Sequence, residues 1–140
     1  MLDLVAEVPA VRLGDRLDFV DIRAEGGMLL IAVVGAPDNQ KIYQGIERGR
    51  TQGWIRTEMP TLVDVTDFHG KIDWSAIKGI SQMAEWGSDG ALPSRVAYIS
   101  SDRFFAFVIK AVSILFPRST HRLFPDRRAA LEWLQAPAPH

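Results

Sequence analysis

Three carboxylates, Asp64, Asp67 and Asp73, fall close together in the chain. Hard oxygen donors at that density could hold Mg²⁺ at the end of a strand. Each also has a structural assignment. Asp73 stands where a helix N-cap belongs, Asp67 in a turn, and Asp64 at a strand end where its oxygens can take loop amides. The structural assignment is preferred, and no metal site is expected. His69 stands two positions after Asp67, with Ser75 further along. A Ser–His–Asp hydrolase needs an oxyanion hole and a nucleophile on a strained turn. The chain has no Gly-x-Ser-x-Gly, and Ser75 belongs to a first helical turn. No catalytic residue is expected.

Other chemistries are excluded by what the chain lacks. It has no cysteine, so it has no thiolate nucleophile and no thiolate metal site. His69, His121 and His140 are too scattered for a zinc pattern. Gly26-Gly27 and Gly87…Gly90 match neither the phosphate-loop nor the dinucleotide spacing. Trp54, Trp74, Trp86 and Trp133 read as core and rim packing rather than a base-stacking platform, and no nucleic-acid module is present. The expectation is a protein that is not an enzyme and carries no cofactor.

The most informative segment is residues 102–116. Its polar side chains after Asp102 are Arg103, Lys110 and Ser113. As a helix, it places Arg103 and Lys110 on one stripe, a heptad apart, with Phe107 and Ile114 beside them. Phe105, Val108, Val112 and Leu115 point the other way, into a core. A helix in a layered domain should show water a wider polar face than this. Phe107 and Ile114 are therefore either covered by a neighbour or used as an apolar surface. Arg118 and Arg122 follow and extend the cationic character.

Elements must place these residues. The 140 residues, 47% of them hydrophobic, suffice for one domain with a single sizeable core. No apolar run reaches the roughly 18–20 residues of a membrane span. The amino terminus has no signal pattern, so a cytoplasmic location is expected. Residues 1–94 hold nine Lys/Arg against fourteen Asp/Glu, net −5, and residues 95–140 hold seven against three, net +4. The cations gather in the carboxyl-terminal third.

In order, residues 1–17 read as an arm or an extra edge strand. Residues 19–23 and 28–34 read as a hairpin with a Gly-containing turn. Asp38 opens a helix to about residue 52, with Ile42, Tyr43, Ile46 and Gly49 on one face. Residues 61–65 form a strand, and Asp73 caps a helix that carries Trp74, Ile77, Ile80 and Ala84 on one face and ends at Gly87. Residues 87–93 form a flexible loop and 95–99 a strand. Asp102 caps the helix to Phe116, stopped by Pro117. Residues 120–124 form a last strand, and Pro125 or Asp126 opens a final helix burying Ala130, Leu131 and Leu134. Residues 136–140 form a disordered tail. Strands alternating with helices make βαβ units. The expected fold is one α/β domain with a mixed, mainly parallel sheet of about five strands and four helices. Its opening strand is antiparallel.

Several of these residues resemble a known family. The strand end Asp64-Val65-Thr66 and the helix opening Asp73-Trp74-Ser75-Ala76 are similar to the STAS domain of anti-sigma-factor antagonists, the SpoIIAA-like proteins. The runs at 95–99, 122–124 and 129–134 look more like the bacterial SpoIIAA-like proteins of unassigned function, grouped by fold with CRAL-TRIO-type lipid-transfer domains. The resemblance spans about residues 18–135. In the family, the serine after the helix-opening Asp is phosphorylated. Here that position is Trp74, so the resemblance implies a lost switch at Asp73, Trp74 and Ser75.

Two functions follow. The first is a non-enzymatic interaction or regulatory module, self-associating as a homodimer or docking a protein partner. Its contact surface would be Arg103, Phe107, Lys110, Ile114, Arg118 and Arg122. The alternative, by resemblance, is a binder of an apolar ligand or anionic lipid. A deep apolar pocket beneath the 102–116 helix favours the second, and a flat symmetric contact through it favours the first.

Overall fold

The computed structural model describes residues 8–56, 58–82 and 94–136. Among these, six strands and four helices alternate: β1 (Ala10–Gly14), β2 (Phe19–Glu25), β3 (Met28–Val34), α1 (Gln40–Thr51), β4 (Thr61–Asp64), α2 (Trp74–Ser81), β5 (Ser94–Ile99), α3 (Phe105–Leu115), β6 (Ser119–Phe124) and α4 (Arg127–Gln135). The sheet runs in chain order from β1 to β6. β1, β2 and β3 pair antiparallel, and β3 to β6 pair parallel. The sheet thus has six strands rather than about five, because Ala10–Gly14 joins its edge. The antiparallel part comprises three strands rather than one opening strand.

The β2–β3 hairpin turns on Gly26 and Gly27, with φ of +60° and +78°. Two consecutive left-handed residues make the tight turn whose twist suits a hairpin, and glycine takes that conformation without strain. Among the described residues, each parallel pair has one helix in the connection between its strands. Successive right-handed crossovers that step along the sheet in one direction put α1, α2 and α3 on the same face. Val20, Ile22, Ile31, Ile46, Ile80 and Val108 share the core there. At Gly45, α1 comes so close to β2 that an added Cβ would press on the Ile22 Cδ1 methyl, which would have to shift. After β6 the chain turns at Asp126 onto the opposite face. There Leu62, Ala97, Ile99 and Phe124 meet Ala130 and Leu134 of α4.

α4 covers only the parallel half of its face. Over β1–β3 that face shows Arg12, Asp21 and Arg23. Arg12 and Arg23 lie 3.1 and 3.0 Å from the same Asp21 carboxylate oxygen. Arg12 and Asp21 are directly opposed across β1 and β2, so the pair is a cross-strand contact on a solvated face.

The helix starts differ in part from the expectation. Asp73 caps α2 as expected, accepting from the backbone N–H groups of Ser75 and Ala76. Asp126 caps α4, accepting from Ala129. Asp38 and Asp102 do not cap their helices. Each accepts the N–H two residues on, from Gln40 and Phe104, and so closes a turn just before the helix. Thus α1 begins at Gln40, and α3 begins at Phe105 rather than 102. Trp74 lies at the exposed start of α2, 42% accessible, and is not part of its packed face. The expectations for Ala84, Trp86, the helix end at Gly87, the 87–93 loop and the tail from residue 137 fall outside the described residues, as do residues 1–7.

Candidate functional site

Strand alternation decides which side chains reach which face. Thr61 and Val63 of β4, Ser94, Val96 and Tyr98 of β5, and Ser119 and His121 of β6 point at the helix layer. On β5, Ala97 and Ile99, which face α4, are fully buried, whereas Ser94, Val96 and Tyr98 are only half-buried. The cause is a cavity of about 170 Å³ between the sheet and α1–α3, opening to the outside. Ile31, Val63 and Val96 form one wall, and Ile42, Ile77 and Val108 form the other. Among the described residues that line it, none is Asp, Glu, Lys or Arg.

Its polar lining falls into two groups. At the carboxyl ends of the parallel strands stands Asn39, 8% exposed. Its amide donates to the carbonyls of Pro37, at 3.4 Å, and Lys71, at 3.1 Å, and its oxygen accepts from Asp73 N–H at 3.0 Å. One side chain therefore ties the start of α1 to the loop that opens α2. At the other end, at the amino ends of β5 and β6, Ser94 and Ser119 hydroxyls lie 2.9 Å apart, and further along the same two strands Tyr98 Oη lies 2.9 Å from His121 Nδ1.

The His121 ring is stacked against Tyr98, with centroids 5.8 Å apart, and tilted against Phe116 at 6.0 Å. Its Nε2 is buried with no hydrogen-bond partner. Burial lowers its pKa from 6.5 to about 4, and the nearby Phe116 carbonyl offsets only part of that. The Tyr98 ring keeps accessible surface because it faces the cavity, yet the protein around it desolvates the hydroxyl and pushes its pKa up. This geometry has a pH consequence. Between about pH 6.5 and about pH 4 the unfolded chain takes up a proton at His121 that the folded chain refuses. Stability therefore falls as pH falls through that window, by on the order of 2 kcal/mol, less than the full shift implies because part of the ring reaches solvent. Urea midpoints at several pH values check this. Tyr98→Phe with His121→Phe removes both polar partners together, so the slope should flatten without a new orphaned group.

The three carboxylates noted in the sequence do not converge. Asp64 lies on the α4 face, accepts from Thr66 N–H at 3.0 Å, and lines an open groove of mixed charge with Arg23 and Arg127. Asp73 lies on the helix side, and Asp67 is exposed. No cluster of three metal-ligating side chains occurs among the described residues. The Ser75 hydroxyl donates to Asp73 Oδ1 at 2.8 Å, and that bond holds the Asp73 carboxyl below the usual range. The hydroxyl is engaged in the cap, while His69 is exposed on the preceding loop.

On α3, Arg103 precedes the helix, and Phe107, Lys110 and Ile114 lie along its outer side, all exposed. Phe107 is 70% and Ile114 80% accessible. Phe104, 61% accessible, extends the stripe by one turn. The sequence reading missed it, although its spacing of three from Phe107 was the available signal. Arg118 is exposed in the turn before β6. Arg122 does not join this surface. Alternation places it on the α4 side of β6, its guanidinium 5.2 Å from the Phe124 ring centroid. Asn39, Ser94, Tyr98, Ser119 and His121 were not singled out as a group from the sequence. The signal available for most of them was period two: Ser94, Val96 and Tyr98 on one strand, Ser119 and His121 on the next.

No family model matches the chain, and no curated protein matches it. Among solved structures it is similar to an uncharacterised protein of the DUF3478 family with a SpoIIAA-like fold, from Shewanella loihica PV-4. The two are 19% identical, the match covers 96% of this chain and 98% of that one, and the TM-score is 0.56. The chain has a SpoIIAA-like α/β fold. Among the described residues no helix is long and apolar enough to cross a membrane.

Proposed function

We propose that this domain is a non-enzymatic binding module whose ligand is a small, uncharged apolar molecule, held between the sheet and α1–α3. The observation that carries the reading is the cavity. Its walls are aliphatic and aromatic, and no charged side chain lines it among the described residues. Burying an ion there without a partner would cost many kcal/mol, so the cavity selects neutral guests. Its volume of about 170 Å³ sets the size. An apolar cavity of about 150 Å³ stays dry and takes benzene, whereas drug-sized ligands use about 300–1,000 Å³. The guest is therefore a small molecule or the apolar end of a larger one, and a lipid headgroup would stay outside. Ethylbenzene tests this. A ligand that binds only the folded state raises the melting temperature by mass action, in step with its concentration. A saturable rise supports the reading, and a melting temperature indifferent to ethylbenzene removes it.

Self-association through α3 stands second, favoured by the exposed stripe Phe104, Phe107 and Ile114. Burying two such side chains contributes roughly 1.5–3 kcal/mol each before association costs. A second copy of the chain is the expected occupant, since two-fold dimers are the commonest assemblies. Phe107→Ser with Ile114→Ser should keep the fold, because both side chains already face water, and should shift sedimentation from dimer to monomer. An unchanged sedimentation coefficient removes this reading. Flotation of the original chain, but not the variant, with anionic liposomes would assign the surface to lipid, with Arg103 and Lys110 supplying salt-sensitive attraction.

A further inference from the structure

The cavity's polar groups can be accounted for one by one. Asn39 uses its amide donors on Pro37 and Lys71 and its oxygen on Asp73. Thr61 donates its hydroxyl to the Met59 carbonyl at 3.1 Å. Tyr98 Oη and His121 Nδ1 hold each other, and His121 Nε2 has almost no accessible surface. Ser94 and Ser119 are different. Two hydroxyls carry two protons, and only one can lie between their oxygens. With the oxygens 2.9 Å apart, one O–H donor and several lone pairs remain unspent. The two serines face each other in register on β5 and β6, so this capacity is concentrated at one end of the cavity.

Resting on the reading of the cavity as a ligand site, we propose that its ligand is a neutral amphiphile. It has an apolar body and one hydroxyl or carbonyl group, seated with that group against the Ser94–Ser119 pair. A hydroxyl or carbonyl can take the spare proton, and a hydroxyl can also donate to a serine lone pair. A carboxylate or an ammonium group would find no opposite charge among the described lining residues and is rejected. The polar end of the ligand therefore points to the amino ends of the parallel strands, away from the Asn39 end.

The test uses the full chain and three probes of similar shape: ethylbenzene, benzyl alcohol and benzoate. Affinities come from NMR titration. The original chain should bind the first two and not benzoate. Ser94→Ala with Ser119→Ala should weaken benzyl alcohol about 10-fold and leave ethylbenzene within about two-fold. Binding of ethylbenzene alone, equal changes for both probes in the variant, or clear binding of benzoate would overturn the proposal while leaving the cavity as a site. Failure of both neutral probes to bind would overturn the proposal and the reading it rests on. A measurement on the original chain guards against a variant that does not fold. Benzyl alcohol methylene protons should show contacts to the Ser94 and Ser119 β-protons. Contacts to Asn39 instead would overturn the proposed orientation.

Discussion

Val96→Phe should abolish the rise in melting temperature expected with ethylbenzene, while the chain stays folded. Val96 sits mid-strand on β5 and faces the helix layer, yet it is only half-buried because its side chain borders the cavity. A phenyl ring at that position occupies the volume a guest would need. Losing the cavity should weaken ethylbenzene by on the order of 100-fold, about 2.7 kcal/mol at the binding equilibrium. Filling a void also restores contacts that the lining atoms lack, so unliganded stability should rise by about 1 kcal/mol, provided the ring fits without strain. Thermal melts with and without ethylbenzene check both parts. An undiminished ethylbenzene effect in a folded Val96→Phe chain would place the binding elsewhere.

Asn39→Ala should cost about 3 kcal/mol of stability. The side chain is 8% exposed and makes three hydrogen bonds to backbone groups of two separate loops. Each such bond contributes about 0.5–1.5 kcal/mol net, and an orphaned buried partner costs more. The alanine variant leaves the Lys71 carbonyl and the Asp73 N–H without the group that held them, just where α2 begins. Urea unfolding of the two chains measures the difference. A loss below about 1 kcal/mol would mean that water replaces the amide and that Asn39 is not the tie between these loops.

Much of the fold was legible because local signals agreed with the final packing. The continuous apolar run of β3 needs cover on both faces, and it is a strand with the bounds expected of it. Asp73 and Asp126 each precede a helix and bond its first free N–H groups. Asp38 and Asp102 misled because an aspartate two or three residues ahead of a helix can close a turn instead, and composition does not distinguish the two. Ala10–Gly14 was left open between arm and strand because a short edge strand is set by its partner, β2, more than by its own residues. Trp74 follows helical spacing, but it lies in the first turn, beyond the layer that covers Ile80.

The candidate sites differ in how far the sequence reached. The outer face of α3 follows from helical period alone, so Phe107, Lys110 and Ile114 were found. Arg122 was misplaced because period two, not proximity in sequence, decides its face. The cavity could not be read in advance. It exists because α1–α3 stand off from Val63 and Val96 by the width of a small molecule, and that gap is a property of the packed layers. Ser94 and Ser119 each lie one residue before the strand starts expected at 95 and 120, so their mutual contact was invisible.

The most direct test of the central claim is a methyl-resolved NMR titration of the full chain with ethylbenzene. The cavity is lined by Ile31, Val63, Val96 and Val108, and Ile114 points away from it into solvent. The account expects saturable shifts at the four lining residues and none at Ile114. Shifts at Ile114 with the lining methyls unmoved would contradict it.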